Sequence, residues 1–330
     1  MNSVEATRPH PNAGSVFGVR WQAKRDAALA GENPRTDPGK APSLLRSAGA
    51  VHALGLRSIV ARERAQIARA MLANCHLCAH HCGVNRLAGE QGLCHAGADA
   101  RFFSAQVEVS DELELIPTFA VALSGCDLRC DFCITGRPSW NARDGDAFDA
   151  RRMAVRACRA LDEGARTIMV LGGEPTIHLP SVLEFVAGLP DTARLVWKTN
   201  AHGSAEAREL LDGIFDVWLA DFKFGNDECS LRLAKAPNYV RIVKENLLWA
   251  NEHSELIVRH LLMPGHIDCC WRPVAEWLAA ELPGVKVNLR SGFWPAWKAR
   301  RHFELCMRNS STETEHAQAI ARNCGLNLIH

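Results

Sequence analysis

The chain has 330 residues, 47% of them hydrophobic and 23% charged, which is ordinary for a globular enzyme of one large domain or two smaller ones. Its 38 basic and 37 acidic residues leave a net charge of +1, so no global field draws it to nucleic acid, to a membrane surface or to acidic partners. No apolar run reaches the roughly 18 residues of a membrane span, and the opening residues, MNSVEATRPHPNAGS, lack the basic-then-apolar pattern of a secretory signal.

A cytoplasmic location is therefore expected, and in a reducing compartment clustered cysteines more often bind metal than form disulfides. There are 13 cysteines. Cys75, Cys78, Cys82 and Cys94 form one group, and Cys126, Cys130 and Cys133 another. The other six, Cys158, Cys229, Cys269, Cys270, Cys306 and Cys324, are scattered and read as small buried or incidental surface residues.

In chain order, residues 1–45 are rich in proline, glycine, alanine and charge, and read as an irregular arm with one helix near Val19–Ala30. Residues 46–73 have no proline and read as a helix, which opens a 46–115 segment that carries the first cysteine group. A regular alternation begins at 119. Six apolar, β-branched runs of strand length are FAVALSG, RTIMVLGGE, RLVWKTN, DVWLADFK, ELIVRHLLMPG and VKVNLRSG. Helix-like segments at 148–163, 180–188, 204–213, 238–253 and 271–282 lie between or beside them. This repetition predicts an α/β fold of parallel βα units over 116–295, and its chemistry should gather at the C-terminal strand ends. Residues 296–330 are expected to close the domain, with a helix at 312–323. Trp294 and Trp297, with Arg300 and Arg301, either rim a substrate channel or pack a helix on the sheet; packing is the expectation.

The loop SGCDLRCDFCIT, 124–135, follows the first run directly and holds three cysteines as C-x3-C-x2-C. The loop is too short for the thiols to reach separate targets. Structural zinc wants four protein ligands, and no further cysteine or histidine lies within about ten residues of Cys133. On a [4Fe–4S] cluster, three thiolates leave one iron open to an outside ligand.

With Phe132 before its last cysteine, this motif resembles that of the radical S-adenosylmethionine (radical SAM) superfamily. The resemblance implies a partial (β/α)6 barrel with Cys126, Cys130 and Cys133 on a [4Fe–4S] cluster whose open iron SAM chelates. It further implies reductive cleavage of SAM and hydrogen abstraction by a 5′-deoxyadenosyl radical. The run VLGGEP resembles the family's GGEP motif, so Gly172 and Gly173 are expected to let backbone approach SAM, and Glu174 to accept from its ammonium. Lys198, in VWKTN beside Thr199 and Asn200, stands where the superfamily's glycyl-radical activases commonly place an aspartate, and would pair with the SAM carboxylate. Asp221 and Lys223 resemble the activases' D-x-K; they and Arg259 are expected to assist SAM binding. His202, His260 and His266 are weaker candidates.

The first group reads C-x2-C-x3-C-x11-C, a spacing that leaves zinc and an auxiliary [4Fe–4S] cluster both open, with His76, His80, His81 and His95 as substitute ligands. The string CHLCAHHCGVNRLAGEQGLC, then the cluster loop and GGEPTIHL, resembles the pyruvate formate-lyase activating enzyme-like branch over about residues 70–295. That branch implies a protein or peptide substrate, with glycyl-radical activation as the leading version, and a flavodoxin- or ferredoxin-type electron donor. Peptide or small-molecule modification is the second enzymatic reading. A non-catalytic iron–sulfur or zinc protein is the third, and the intact cysteine triad and GGEP argue against it.

Overall fold

The computed structural model describes residues 55–110, 112 and 114–329. The predicted arm and its helix near 19–30 lie outside the described residues, as does the first part of the predicted 46–73 helix. The rest of that helix is α1, Leu56–Met71, which buries Ala61, Ala65 and Ala68 on one face and packs against α4, defined below.

Among the described residues, nine strands form one mixed sheet in the order β3-β1-β2-β4-β5-β6-β7-β8-β9. They are β1 Arg101–Glu108, β2 Thr118–Leu123, β3 Asp146–Ala147, β4 Thr167–Gly172, β5 Leu195–Thr199, β6 Val217–Asp221, β7 Glu255–Leu261, β8 Lys286–Arg290 and β9 Asn327–Leu328. β1 runs antiparallel to β2 and β3; from β2 onward every pairing is parallel. This is the α/β, mostly parallel architecture expected from the six apolar runs, each of which contributes one strand. β2 is buried along its whole length, as a parallel strand covered on both faces must be.

The helices between strands are α2 Arg137–Trp140, α3 Ala150–Asp162, α4 Leu179–Val186, α5 Ala205–Glu209, α6 Asp227–Ala234, α7 Tyr239–His253 and α8 Arg272–Glu281, with α9 Ser311–Asn323 near the end. Polar side chains fix several starts. Asp149 accepts from Arg152 N, Ser204 from Ala207 N and Asn226 from Cys229 N, and Ser310 with Glu313 forms a capping box.

The sheet exceeds the predicted 116–295 span on both sides. β1 escaped the sequence reading because polar Ser104 and Gln106 interrupt its apolar pattern, as suits a half-exposed outer strand. β9 adds a strand to a segment expected to be helical only. The predicted 204–213 helix is shorter, because the chain turns out of it before Gly213 at φ +66°. α6 lies in a stretch left without an element. Among the described residues no helix is long and apolar enough to cross a membrane.

Candidate active site

β2 ends at Leu123, and Ser124–Gly125 deliver Cys126 to the C-terminal edge of the sheet. Gly125 has φ +87°, and a Cβ there would stand 2.6 Å from the Ala142 Cβ, so the turn requires glycine. Backbone hydrogen bonds pin the cysteine loop to α6: Arg129 N donates to Ala234 O at 2.8 Å and Asp131 N to Leu233 O at 2.9 Å. The Arg129 guanidinium donates to Trp140 O at 3.1 Å and to Leu93 O, beside Cys94.

Cys126, Cys130 and Cys133 line a cavity of about 610 Å³, a volume typical of small-molecule sites. The ends of the next strands line the same cavity. β4 brings backbone at Gly172 and Gly173, β5 Lys198, Thr199 and Asn200, β6 Asp221 with Lys223 just beyond, and β7 Arg259. Phe132 lines it as well, packed on Phe224 and Phe293 at centroid distances of 6.0 and 6.4 Å. Strand register explains the convergence: Asp221 pairs with Arg259 across β6/β7, and Leu123 with Gly172 across β2/β4.

Glu174 departs from expectation. It is buried and absent from the cavity wall. Its carboxylate accepts from Thr176 N (3.1 Å), Thr176 Oγ1 (2.6 Å), Thr199 Oγ1 (2.9 Å) and Asn200 N (2.7 Å). It therefore clasps the loops after β4 and β5 together instead of facing a ligand. Burial, with Asp127 nearby, pushes its carboxyl up to about 7. The two glycines line the cavity, as expected, and also serve a joint that the sequence did not show. A Cβ at Gly172 would stand 2.1 Å from Leu123 O and one at Gly173 1.9 Å from Gly125 O. Their smallness lets β4 seat against the cysteine loop, where Gly173 N donates to Leu123 O and Glu174 N to Gly125 O, both at 2.9 Å.

Asp127, which the sequence reading passed over, is the hub beneath the cluster loop. It is fully buried and accepts from Asn200 Nδ2 at 2.7 Å and from His202 Nδ1 at 2.9 Å. Burial alone would raise its carboxyl, but His202 and Asn200 outweigh that and hold it below the usual range. A carboxylate beside the first cysteine was the available signal, but only the fold shows that it meets His202. Glu112 was missed for the same reason: it is buried against Arg259 Nε at 3.1 Å, and Asn288 Nδ2 donates to it at 3.3 Å.

The cavity's charge is mainly cationic. Lys198, Lys223, Arg259 and Arg290 line it with Asp221. Lys223 Nζ donates to Asp221, and Arg259 lies 3.6 Å from the same carboxylate. Burial works against both charges of the pair, yet Lys223 and Arg259 pull Asp221 low, and Asp221 lifts Lys223. Burial pushes the Cys130 thiol up to about 12, against the pull of Lys223, and burial, with Asp127 nearby, raises the Cys126 thiol as well. Such thiols become thiolates when a metal takes the place of the proton.

The first cysteine segment packs on the same end of the sheet. Ala79 N donates to His202 O (3.0 Å) and Ser204 N to Leu77 O (3.2 Å), and His80 Nε2 donates to Asp127 O (3.0 Å). Buried Arg86 ties the segment to Ile177 O at 2.7 Å. Cys75, Cys78 and Cys94 are buried and Cys82 is exposed. Among the described residues, His, Cys and carboxylate ligand atoms converge to within 4.8 Å of one another at two other places, so the four thiols are not drawn to single-ion spacing. His76, His81 and His95 lie outside the cavity wall. His260 is a satisfied core histidine: its Nδ1 donates to Phe222 O at 2.6 Å. Trp294 is 50% exposed and lines the cavity mouth, against the expectation of packing. Trp297, also partly exposed, meets Trp140 in a tilted contact at a centroid distance of 5.9 Å, and Arg300 and Arg301 are exposed.

These residues fit the implied cofactors. Three thiols face a cavity that is too large for the cluster's ligands alone, and its cations offset the charge of three thiolates. The family model described as the Radical SAM superfamily matches residues 121–278. The Uncharacterized protein MJ0674 of Methanocaldococcus jannaschii is 32% identical over 273 residues, covering 81% of this chain and 80% of that protein. The chain belongs to the radical SAM superfamily and is an enzyme of that class. Among solved structures, it is similar to Streptococcus suis SuiB bound to S-adenosylmethionine (14% identity, TM-score 0.47, 62% of this chain and 47% of that one). The corresponding values for SuiB bound to precursor peptide SuiA are 15%, 0.46, 62% and 46%. The chain thus spans under half the length of these two structures.

Proposed function

We propose that this chain holds a [4Fe–4S] cluster on Cys126, Cys130 and Cys133, binds S-adenosylmethionine beside it, and abstracts hydrogen from a protein or peptide, with formation of a glycyl radical on a partner enzyme as the leading version. The observation that carries it is the convergence of the three cysteines with the ends of β4, β5, β6 and β7 on one cavity. When bound, the cluster supplies the electron that cleaves SAM and so starts the radical chemistry.

The chain's own residues supply placement. Lys223, Arg259 and Lys198 offer cations to the SAM carboxylate, and Asp221 orients Lys223. Phe132, packed on Phe224 and Phe293, supplies an apolar wall that excludes water. Glu174 and Asp127 hold the loops that carry these groups. An apolar rim favours a polypeptide substrate over a small polar one: Ile134 is 79% exposed and Trp294 50% at the cavity mouth. Cys75, Cys78, Cys82 and Cys94 are assigned a second [4Fe–4S] cluster over zinc, because a cubane spreads its ligands over separate irons. A flavodoxin- or ferredoxin-type donor and a cytoplasmic location complete the proposal.

The test is anaerobic reconstitution with iron and sulfide, reduction with dithionite and assay for 5′-deoxyadenosine. Wild type should form it, and Cys130→Ala should lose it. No product from wild type with a full cluster would sink the catalytic reading. Iron analysis of the Cys126, Cys130, Cys133→Ala triple variant checks the second assignment: about four residual iron atoms are expected, whereas none would overturn it.

A further inference from the structure

Three of the six scattered cysteines are not scattered in space. The Cys229 thiol, near the start of α6, lies 3.5 Å from His266 Nδ1. Cys269 and Cys270, in the turn after β7, place their sulfurs 3.3 and 3.7 Å from the same nitrogen and 3.9 Å from each other. All four ligand atoms lie within 4.8 Å of one another. Cys229, His266 and Cys270 are buried, and Cys269 is at the surface edge. We propose that Cys229, His266, Cys269 and Cys270 form a closed, tetrahedral Cys3His site for a single zinc ion, separate from the active-site cavity.

The edge lengths match the ion. Zn–S of about 2.3 Å and Zn–N of about 2.0–2.1 Å at tetrahedral angles put sulfurs about 3.8 Å apart and sulfur from nitrogen about 3.6 Å. A cubane would spread the same ligands more widely over separate irons. The local backbone is built for the purpose. Residues Ile267–Trp271 form a π-helical turn, a rare widening that recurs at functional sites, and it turns Cys269 and Cys270 together toward His266. The surroundings also fit. Three thiolates on a divalent ion leave one negative charge, and Arg232, one turn along α6 from Cys229, places Nη2 3.4 Å from His266 Nε2. The Glu304 carboxylate faces that nitrogen at 3.7 Å and pairs with Arg232 Nη1 at 2.6 Å, the kind of outer partner that orients a metal-bound imidazole.

With four protein ligands there is no open position, so the ion is structural. It joins α6 to the β7–α8 connection. The other end of α6 accepts the two backbone hydrogen bonds from Arg129 and Asp131 of the cysteine loop. The ion therefore sits one short helix away from the catalytic cluster and braces the helix on which that loop rests.

Zinc and iron are to be counted in the full chain and in Cys269→Ser, which alters the ligand at the surface edge and so disturbs packing least. The site predicts that zinc falls by about one per chain in the variant while iron is unchanged. Equal zinc in both proteins, or none in wild type, overturns it. The second readout is His266→Cys loaded with cobalt(II). Its tetrahedral ligand-field and thiolate charge-transfer bands should shift from an S3N to an S4 pattern, and bands identical to those of wild type would also overturn the assignment, whether or not Cys269→Ser folds.

Discussion

Glu174 shows how far one residue's role depends on what surrounds it. In the sequence it is the acidic member of GGEP, a natural acceptor for a ligand ammonium. In the fold it receives four protein donors and no longer faces the cavity. Removing it leaves buried donors on Thr176, Thr199 and Asn200 unpaired, so Glu174→Ala should cost about 2–5 kcal/mol in denaturant unfolding. A loss below about 1 kcal/mol would return the carboxylate to a ligand role. Two buried histidines make a second prediction. Burial holds His178 and His260 down at about 4, whereas both titrate near 6.5 when unfolded. Between those values the unfolded chain binds more protons than the folded one. Stability is therefore full above about pH 6.5 and is lost as pH falls toward 4, by up to about 1.4 kcal/mol per pH unit for each histidine. His260→Asn, which keeps a donor for Phe222 O, should flatten that acid limb. An unchanged limb in the variant would contradict the neutral buried histidine. The convergence of Cys126, Cys130 and Cys133 on one cavity was legible from their spacing. Asp127 and Glu112 were not, since a buried carboxylate gains its meaning from partners 73 to 176 residues away.

At the scale of elements, the glycines of β4 serve the joint between strand and cluster loop. Gly173→Ala drives a methyl to 1.9 Å from Gly125 O, and backbone cannot yield as a flexible side chain would. The expected result is a loss of about 1–3 kcal/mol with reduced iron content, because the displaced backbone carries Cys126. Gly97→Ala, where a Cβ meets nothing within 4 Å, is the control, and it should change stability by no more than about 0.5 kcal/mol. Equal behaviour of the two variants would refute the joint. The six parallel strands were legible because burial on both faces makes each a continuous apolar run. β1 was not, since an outer antiparallel strand is only half buried and its pattern is broken by polar residues. α6 was not either: its eight residues follow β6 closely, and its importance lies in what it touches. It braces the cysteine loop at one end and supplies Cys229 at the other.

The whole molecule gathers its unusual chemistry on the C-terminal edge of one sheet. The three-cysteine loop, the strand ends and the N-terminal cysteine segment all meet there, the last through His80, Arg86 and the Cys78–Gly203 bridge. Superfamily membership was readable from two motifs, because cofactor binding fixes residue type and spacing together. The exposed Ile134 and Trp294 on the cavity wall were not readable, since they are set by loops without a fixed pattern. The central claim is that the cluster loop leaves one iron position to S-adenosylmethionine. The most direct test is the electron paramagnetic resonance spectrum of the reduced protein, recorded with and without S-adenosylmethionine. In wild type, and equally in a variant with Cys75, Cys78, Cys82 and Cys94 changed to Ala, the signal of the cluster held by Cys126, Cys130 and Cys133 should shift on addition of S-adenosylmethionine. A signal from that cluster that S-adenosylmethionine leaves unmoved would mean that a fourth protein ligand fills the position, and would contradict the account.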